Sequence, residues 1–285
     1  NDGTLMGVDY AVHYPILTIA CGPTNSIRGA SFLSQVENGI VLDVGGTTSD
    51  VGVITQSFPR ESSLAVEIGG VRTNFRMPDL VSIGLGGGTI IREDGEEIKV
   101  GPDSVGYRLT EEALVFGGKT TTTTDIAVRL GLADIGDKEK VKNIPLEFAQ
   151  RAQEKIISMA EEAIDKMKVS KDPLPLILVG GGSIIINGSL PGVSEVHRPE
   201  NFGVANALGA AIAQVSGEVD KIYSLTDMTR DQALDDARNL AKDDAVRAGA
   251  NPDTVTIVQQ EDVPLAYLPG NATRIRVKAA GSLNK

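Results

Sequence analysis

Asp43 stands inside an apolar run, Val41-Leu-Asp43-Val, and Gly45-Gly46-Thr47-Thr48 follows at once. A carboxylate inside a buried strand is costly and needs a partner. Two adjacent glycines let backbone N–H groups converge on an anion, and two threonines add hydroxyl donors. The set suits a phosphate group, with Gly45, Gly46, Thr47 and Thr48 as donors. Asp43 then holds magnesium through water beside the phosphates. The plain alternative is a tight hairpin with polar turn residues. Asp50 lies beside the same turn and joins Asp43 as a candidate catalytic carboxylate.

Two further glycine clusters end apolar runs. Gly86, Gly87 and Gly88 sit in Gly84-Leu-Gly-Gly-Gly-Thr89, which lacks the last glycine of a dinucleotide fingerprint. It reads as a ligand loop or as a bend in a sheet. Gly180, Gly181, Gly182 and Ser183 follow the buried run Leu176–Val179. Ligands of open α/β sheets gather at such carboxyl ends. Ala113 to Thr120 nearly matches a P-loop, but Ala113 replaces its first glycine, so chance explains it better. His13, His197 and the single Cys21 offer no metal-ligand spacing. Cys21 reads as a small buried thiol, Arg28 as a surface arginine, and Asp79 and Asp125 as turn or cap residues.

The elements that must position these loops are partly legible. Ile40–Val44 and Val51–Thr55 predict a β-hairpin around the Gly45 turn. Strand-like pieces follow at Leu64–Ile68, Val71–Phe75 and Val81–Leu85. The Thr120–Thr124 run suits a helix cap before Ile126–Leu130. From Pro145 to Lys168, apolar residues recur at helical spacing. Leu176–Val179 predicts a buried strand and Ala205–Val215 a small-residue helix. After Gly217 the composition shifts to a charged amphipathic helix over Thr229–Ala250, with half-exposed strands at Thr254–Gln259 and Arg274–Lys278. The expected division is therefore a lobe over residues 1–217 and an α+β appendage over 218–285.

The chain has 285 residues, 41% hydrophobic and 23% charged, enough apolar material for a core. Its net charge of −11 repels nucleic acid and anionic lipid, so neither is an expected partner. It does not exclude a nucleotide, because a loop of N–H groups binds phosphate without a basic patch. One cysteine and no leader-like opening predict a cytoplasmic protein.

Four motifs in order resemble the hydantoinase/oxoprolinase family, of the hydantoin-utilisation A subunit type. They are Ala20-Cys-Gly-Pro-Thr-Asn-Ser-Ile-Arg-Gly29, Leu42-Asp-Val-Gly-Gly-Thr-Thr-Ser-Asp-Val51, Ser82-Ile-Gly-Leu-Gly-Gly-Gly-Thr89 and Leu178-Val-Gly-Gly-Gly-Ser183. The resemblance extends to the tail around Pro264–Arg274. It implies an RNase H-like ATPase lobe of the actin, sugar kinase and Hsp70 type, binding ATP and magnesium. By resemblance, Asp43 to Thr48 form the second phosphate loop, and Gly180 to Ser183 the adenosine-side loop. The implied activity is ATP-dependent hydrolysis of cyclic amides or imides, through phosphorylation of the ring carbonyl, beside a B-type subunit. Similar parts serve ATP-dependent ketone carboxylation in relatives. A non-catalytic assembly or regulatory module is the remaining alternative. Family members carry an earlier Asp-x-Gly-Gly-Thr hairpin in an N-terminal lobe, and this chain, opening at Asn1, has one such hairpin. It is therefore expected to be the C-terminal part of a longer subunit, inactive without its missing lobe.

Overall fold

The computed structural model describes residues 2–284 except 63–66, 69, 73–76, 96 and 189, and excepting the side chains of Tyr10 and Ile68. In chain order the elements are β1 (Thr4–Leu5), α1 (Val8–His13), α2 (Cys21–Ser34), β2 (Gly39–Val44), β3 (Ser49–Thr55), β4 (Phe58–Pro59), β5 (Glu67–Ile68), β6 (Val71–Arg72) and β7 (Leu80–Ile83). Then come β8 (Thr89–Asp94), β9 (Glu97–Ser104), α3 (Leu109–Glu112), α4 (Thr123–Arg129), α5 (Leu146–Met167), β10 (Leu174–Val179), β11 (Val193–His197) and α6 (Ala205–Ala211). Last are β12 (Gln214–Tyr223), α7 (Arg230–Arg247), β13 (Thr256–Pro264) and β14 (Thr273–Gly281). The expected strands over Leu64–Ile68 and Val71–Phe75 lie partly outside the described residues. Their described parts, β5 and β6, pair antiparallel.

Two compact units emerge: Ala20–Ala211 with Asp2, and Gly3–Ile19 together with Ile212–Lys285. Residue 217, where the composition shifts, falls inside β12. β12 starts at Gln214, so the expected helix from Ala205 stops at Ala211 instead of reaching Val215.

The larger unit is built on a sheet of order β11-β10-β2-β3, with the outer edge of β3 shared between β7 and β4. β2 and β3 run antiparallel, as do β3 and β7, while β10 runs parallel to β2 and β11 parallel to β10. An antiparallel meander continued by parallel strands on the side of its first strand is the RNase H-like order. Period-2 alternation divides β2 between two cores. Ile40, Leu42 and Val44 join the cluster that contains Ile156, Ala160 and Ile164 of α5. Val41 joins Ile27 and Ala30 of α2 on the opposite face. α5 buries Ala149, Ala152, Ile156, Ala160, Ala163, Ile164 and Met167, the stripe its sequence predicts.

α2 is unforeseen, since Gly22, Pro23, Asn25 and Gly29 are poor helix formers. Burial of Ile27 and Ala30 against the sheet overrides that propensity. Packing of α2 also corrects two expectations: Cys21, at its start, is exposed, and Arg28 is buried. Arg28 Nη1 donates to Ser57 O at 2.7 Å, and the guanidinium lies 3.9 Å from the Phe58 ring centroid. Ser57 and Gln56 form the corner between β3 and β4, with φ of 64° and 51°.

The smaller unit is a four-stranded sheet of order β1-β12-β14-β13. α7 covers one face through Ala233, Leu234, Ala237, Ala241 and Ala245 against Ile275, Val277 and Ala279. Thr229 caps α7 with a full capping box through Gln232. Among the described residues, no helix is long and apolar enough to cross a membrane.

Candidate functional site

The β2–β3 turn closes tightly, with Gly45 N donating to Thr48 O at 2.9 Å. Register places Asp43 opposite Asp50, one step inside the turn. Odd-numbered residues of β2 and even-numbered residues of β3 face α2, as Val41 and Ile54 do, so the two aspartates share that face. Burial pushes the Asp43 carboxyl above the usual carboxylate range; a hydrogen bond from Ser26 opposes the shift, and Asp50 adds to it. Ser82 on β7 donates a short hydrogen bond to Asp50.

Both other glycine loops close on this turn, main chain against main chain. Gly87 N donates to Gly45 O at 3.0 Å, and Gly88 N to Gly46 O at 2.6 Å. A Cβ at Gly86 would fall 2.6 Å from Thr47 N, and one at Gly182 would fall 2.2 Å from Gly45 O. Gly180 follows β10, whose Val179 pairs with Asp43. Its φ is +85°, and a Cβ there would lie 2.3 Å from Asp43 Oδ1. These glycines are explained by close approach of loop to loop.

Gly46 and Gly181 differ. Both are exposed, neither has positive φ, and an added Cβ at either would meet nothing within 4 Å. Thr47 and Thr48 are exposed beside Gly46, whereas Gly86, Gly87, Gly88, Gly182 and Ser183 are buried. The structure thus brings all three loops together and leaves Gly46, Thr47, Thr48 and Gly181 facing open space.

The threonine run does more than cap. Thr122 caps α4 in a reciprocal box with Asp125. Thr124 Oγ1 donates to Gly87 O at 2.7 Å, and Thr123 Oγ1 donates to Gly86 O. Sequence pattern located the run but not these bonds to a loop 37 residues away. Ser49 Oγ holds the base of the same loop, donating to Leu85 O at 2.6 Å. The near P-loop at Ala113–Thr120 has a packing origin: a Cβ at Gly118 would lie 2.0 Å from Glu112 O.

The strand order defines an RNase H-like α/β lobe with a three-loop site at one end of its central strands. Residues 1–134 match the model of the hydantoinase/oxoprolinase family, so the resemblance carried by the motifs is borne out over that stretch. The acetone carboxylase β subunit of Xanthobacter autotrophicus is 36% identical over 121 residues, 40% of this chain and 16% of that protein. The acetophenone carboxylase γ subunit of Aromatoleum aromaticum is 32% identical over 115 residues, 39% of this chain and 16% of that protein. Nucleotide-free acetone carboxylase has the same fold over 93% of this chain, with TM-score 0.62 and 20% identity. The ATP-dependent caprolactamase of Pseudomonas jessenii matches over 92%, with TM-score 0.62 and 18% identity. The chain spans 50% of the length of each of these two solved chains.

Proposed function

We propose that this chain is one lobe of an ATP-dependent enzyme, and that the Gly45–Thr48 turn holds the phosphates of the nucleotide. The carrying observation is the register pair Asp43 and Asp50 beneath a turn whose outer glycine faces open space. Like charges directly opposed across a sheet are destabilising, and a cation between them relieves this. Magnesium accepts one or two carboxylates together with water and phosphate oxygens. The donor set here fits that demand, and among the described residues no group of three His, Cys, Asp or Glu side chains forms a dedicated metal cage. When bound, magnesium neutralises charge on the phosphates. Asp43 and Asp50 would hold it, the Gly46, Thr47 and Thr48 N–H groups with the threonine hydroxyls would orient phosphate oxygens, since the Gly45 N–H closes the turn on Thr48 O, and Gly181 would edge the adenosine side. Catalysis by such parts is positioning and charge stabilisation.

The reaction we assign to the whole enzyme is hydrolysis of a small cyclic amide or imide. An unstrained ring amide is a poor electrophile, and phosphorylating its carbonyl oxygen supplies a leaving group. The second reading is ATP-dependent carboxylation of a ketone, favoured by the identity with two carboxylase subunits. In both, ATP activates a carbonyl-derived oxygen. We assign as partners a B-type subunit and a second lobe of the same subunit. The test is phosphate release by that longer subunit with its partner. Release that depends on a ring amide without bicarbonate supports the hydrolase. Release that requires ketone and bicarbonate supports the carboxylase. Nucleotide binding with no substrate-dependent release leaves an assembly or regulatory module.

A further inference from the structure

Arg198 follows β11 directly, and the phosphate-loop reading does not use it. β11 runs parallel to β10, with His197 opposite Ile177, so Arg198 emerges at the same end of the sheet as the Gly180 loop. That loop makes a 3-10 turn over Gly181–Ile185. The carbonyls that end a helical turn need partners from outside it. Here side chains supply them. Arg198 Nη1 donates to Ser183 O at 3.3 Å, and Arg198 Nη2 donates to Ile186 O. Gln153 Nε2 of α5 donates to Ile185 O at 2.9 Å. At the start of the loop, Gly180 N donates to Phe202 O at 3.0 Å. The stretch from Arg198 to Phe202 therefore grips both ends of the Gly180–Ile186 loop, and Gly181 is left between them in open space.

A single neutral donor could hold one of these carbonyls. The guanidinium holds two, from residues three apart, with two nitrogens of one planar rigid group, so the end of the loop moves as a unit. Among the described residues no carboxylate pairs with Arg198: desolvation lowers its pKa, and no neighbouring charge offsets that. The loop carbonyls, not a salt bridge, are what hold the side chain in place. We propose that Arg198 is a positioning residue for the nucleoside end of the nucleotide, its fork fixing the Gly180–Ile186 loop in the shape that keeps Gly181 open. This rests on the reading of Gly181 as the adenosine edge. Arg198 bonds to no residue of the Gly45–Thr48 turn, so its effect on nucleoside and on phosphates is separable.

The test is steady-state ATP hydrolysis by the longer subunit with its partner. Inorganic tripolyphosphate serves as an inhibitor that carries phosphates and no nucleoside. Arg198→Ala is expected to raise KM for ATP about tenfold and leave kcat within about twofold, the pattern of lost ground-state binding on the scale of one charge-assisted hydrogen bond. Inhibition by tripolyphosphate is expected to stay unchanged, which a general loosening of the site would not allow. Arg198→Lys keeps the charge but can reach one carbonyl, and it is expected to recover only part of the KM. An unchanged KM in Arg198→Ala, or an equal weakening of ATP and tripolyphosphate, overturns the proposal. If Arg198→Ala does not fold, Arg198→Lys decides: a KM equal to that of the unaltered subunit overturns the fork. Failure of the phosphate reading shows instead in the unaltered subunit, as no ATP hydrolysis or no inhibition by tripolyphosphate, and the proposal falls with it.

Discussion

Asp43 on β2 and Asp50 on β3 are direct register partners, each bonded to a serine of a different element: Ser26 of α2 and Ser82 of β7. Two carboxylates in that relation repel unless a proton or a cation sits between them. Burial pushes the Asp43 carboxyl upward, the Ser26 hydroxyl opposes that shift, and Asp50 across the register adds to it.

Asp43→Asn separates that cost from its use. A carboxyl raised above its unfolded value stabilises the fold fully only below the ordinary aspartate range, near pH ~4. That contribution is lost as pH rises through the higher folded value. The variant is therefore expected to melt above the unaltered chain at pH 7, with the gap closing toward pH 4. Magnesium-dependent ATP turnover by the longer subunit is expected to fall at least about a hundredfold, the scale of one preorganised electrostatic group. A lower melting point with turnover retained would make Asp43 a structural residue.

The glycines divide into two experimental classes. Gly46→Ala and Gly181→Ala are expected to leave stability within about 0.5 kcal/mol, because their surroundings are open. Nucleotide affinity of the longer subunit is expected to drop about tenfold in each, or about 1.4 kcal/mol. Gly180→Ala places a Cβ on Asp43 Oδ1 at a positive φ, so a loss of more than about 1 kcal/mol is expected. Denaturant melts paired with nucleotide titrations check both classes; unaltered affinity in the two open-space variants contradicts the site.

Asp125 offers a purely structural control. Its carboxylate is wholly buried and accepts from Val115 N at 2.7 Å, Thr122 N at 2.7 Å and Thr122 Oγ1 at 2.8 Å. Asp125→Asn sets an amide donor against one of these and is expected to cost about 1–3 kcal/mol. Thr122→Ala is expected to cost about 1 kcal/mol as a lost cap. The two share bonds, so the double variant should lose less than their sum. Additive losses in urea would show the box is not a unit.

Phosphate release by this chain alone is expected to stay near background. It carries one Asp-x-Gly-Gly-Thr hairpin, where the proposed two-lobed enzyme uses a second. Robust magnesium-dependent turnover by the purified chain would falsify the two-lobe requirement.

What the sequence revealed was local. An apolar run broken by Asp43 and ended by Gly45-Gly46 specified the β2–β3 hairpin, since strand and turn chemistry lie within ten residues. The stripe from Ile156 to Met167 specified α5 by period alone. The β8–β9 hairpin went unread because its charged strands lack clean alternation. α2 escaped because packing on the sheet outweighs its propensity, and with it went the burial of Arg28. Asn206 of α6 and Ser26 of α2 are 180 residues apart and meet only where those helices pack, which no local pattern records.

The corner at Gln56-Ser57 has a kinetic consequence. Two-residue hairpin turns with positive φ at both positions usually rely on Asn-Gly, and Gln-Ser has no such preference. Here the turn is held from outside: Ser57 N donates to Glu37 O at 2.9 Å, Gln56 N to Asn38 Oδ1 at 3.1 Å, and Arg28 clasps Ser57 O. Neighbours in sequence thus wait on a contact made 29 residues away. The β3–β4 corner should then form late, only after α2 has docked, and it should be among the first parts of the sheet to exchange its amides when α2 lifts.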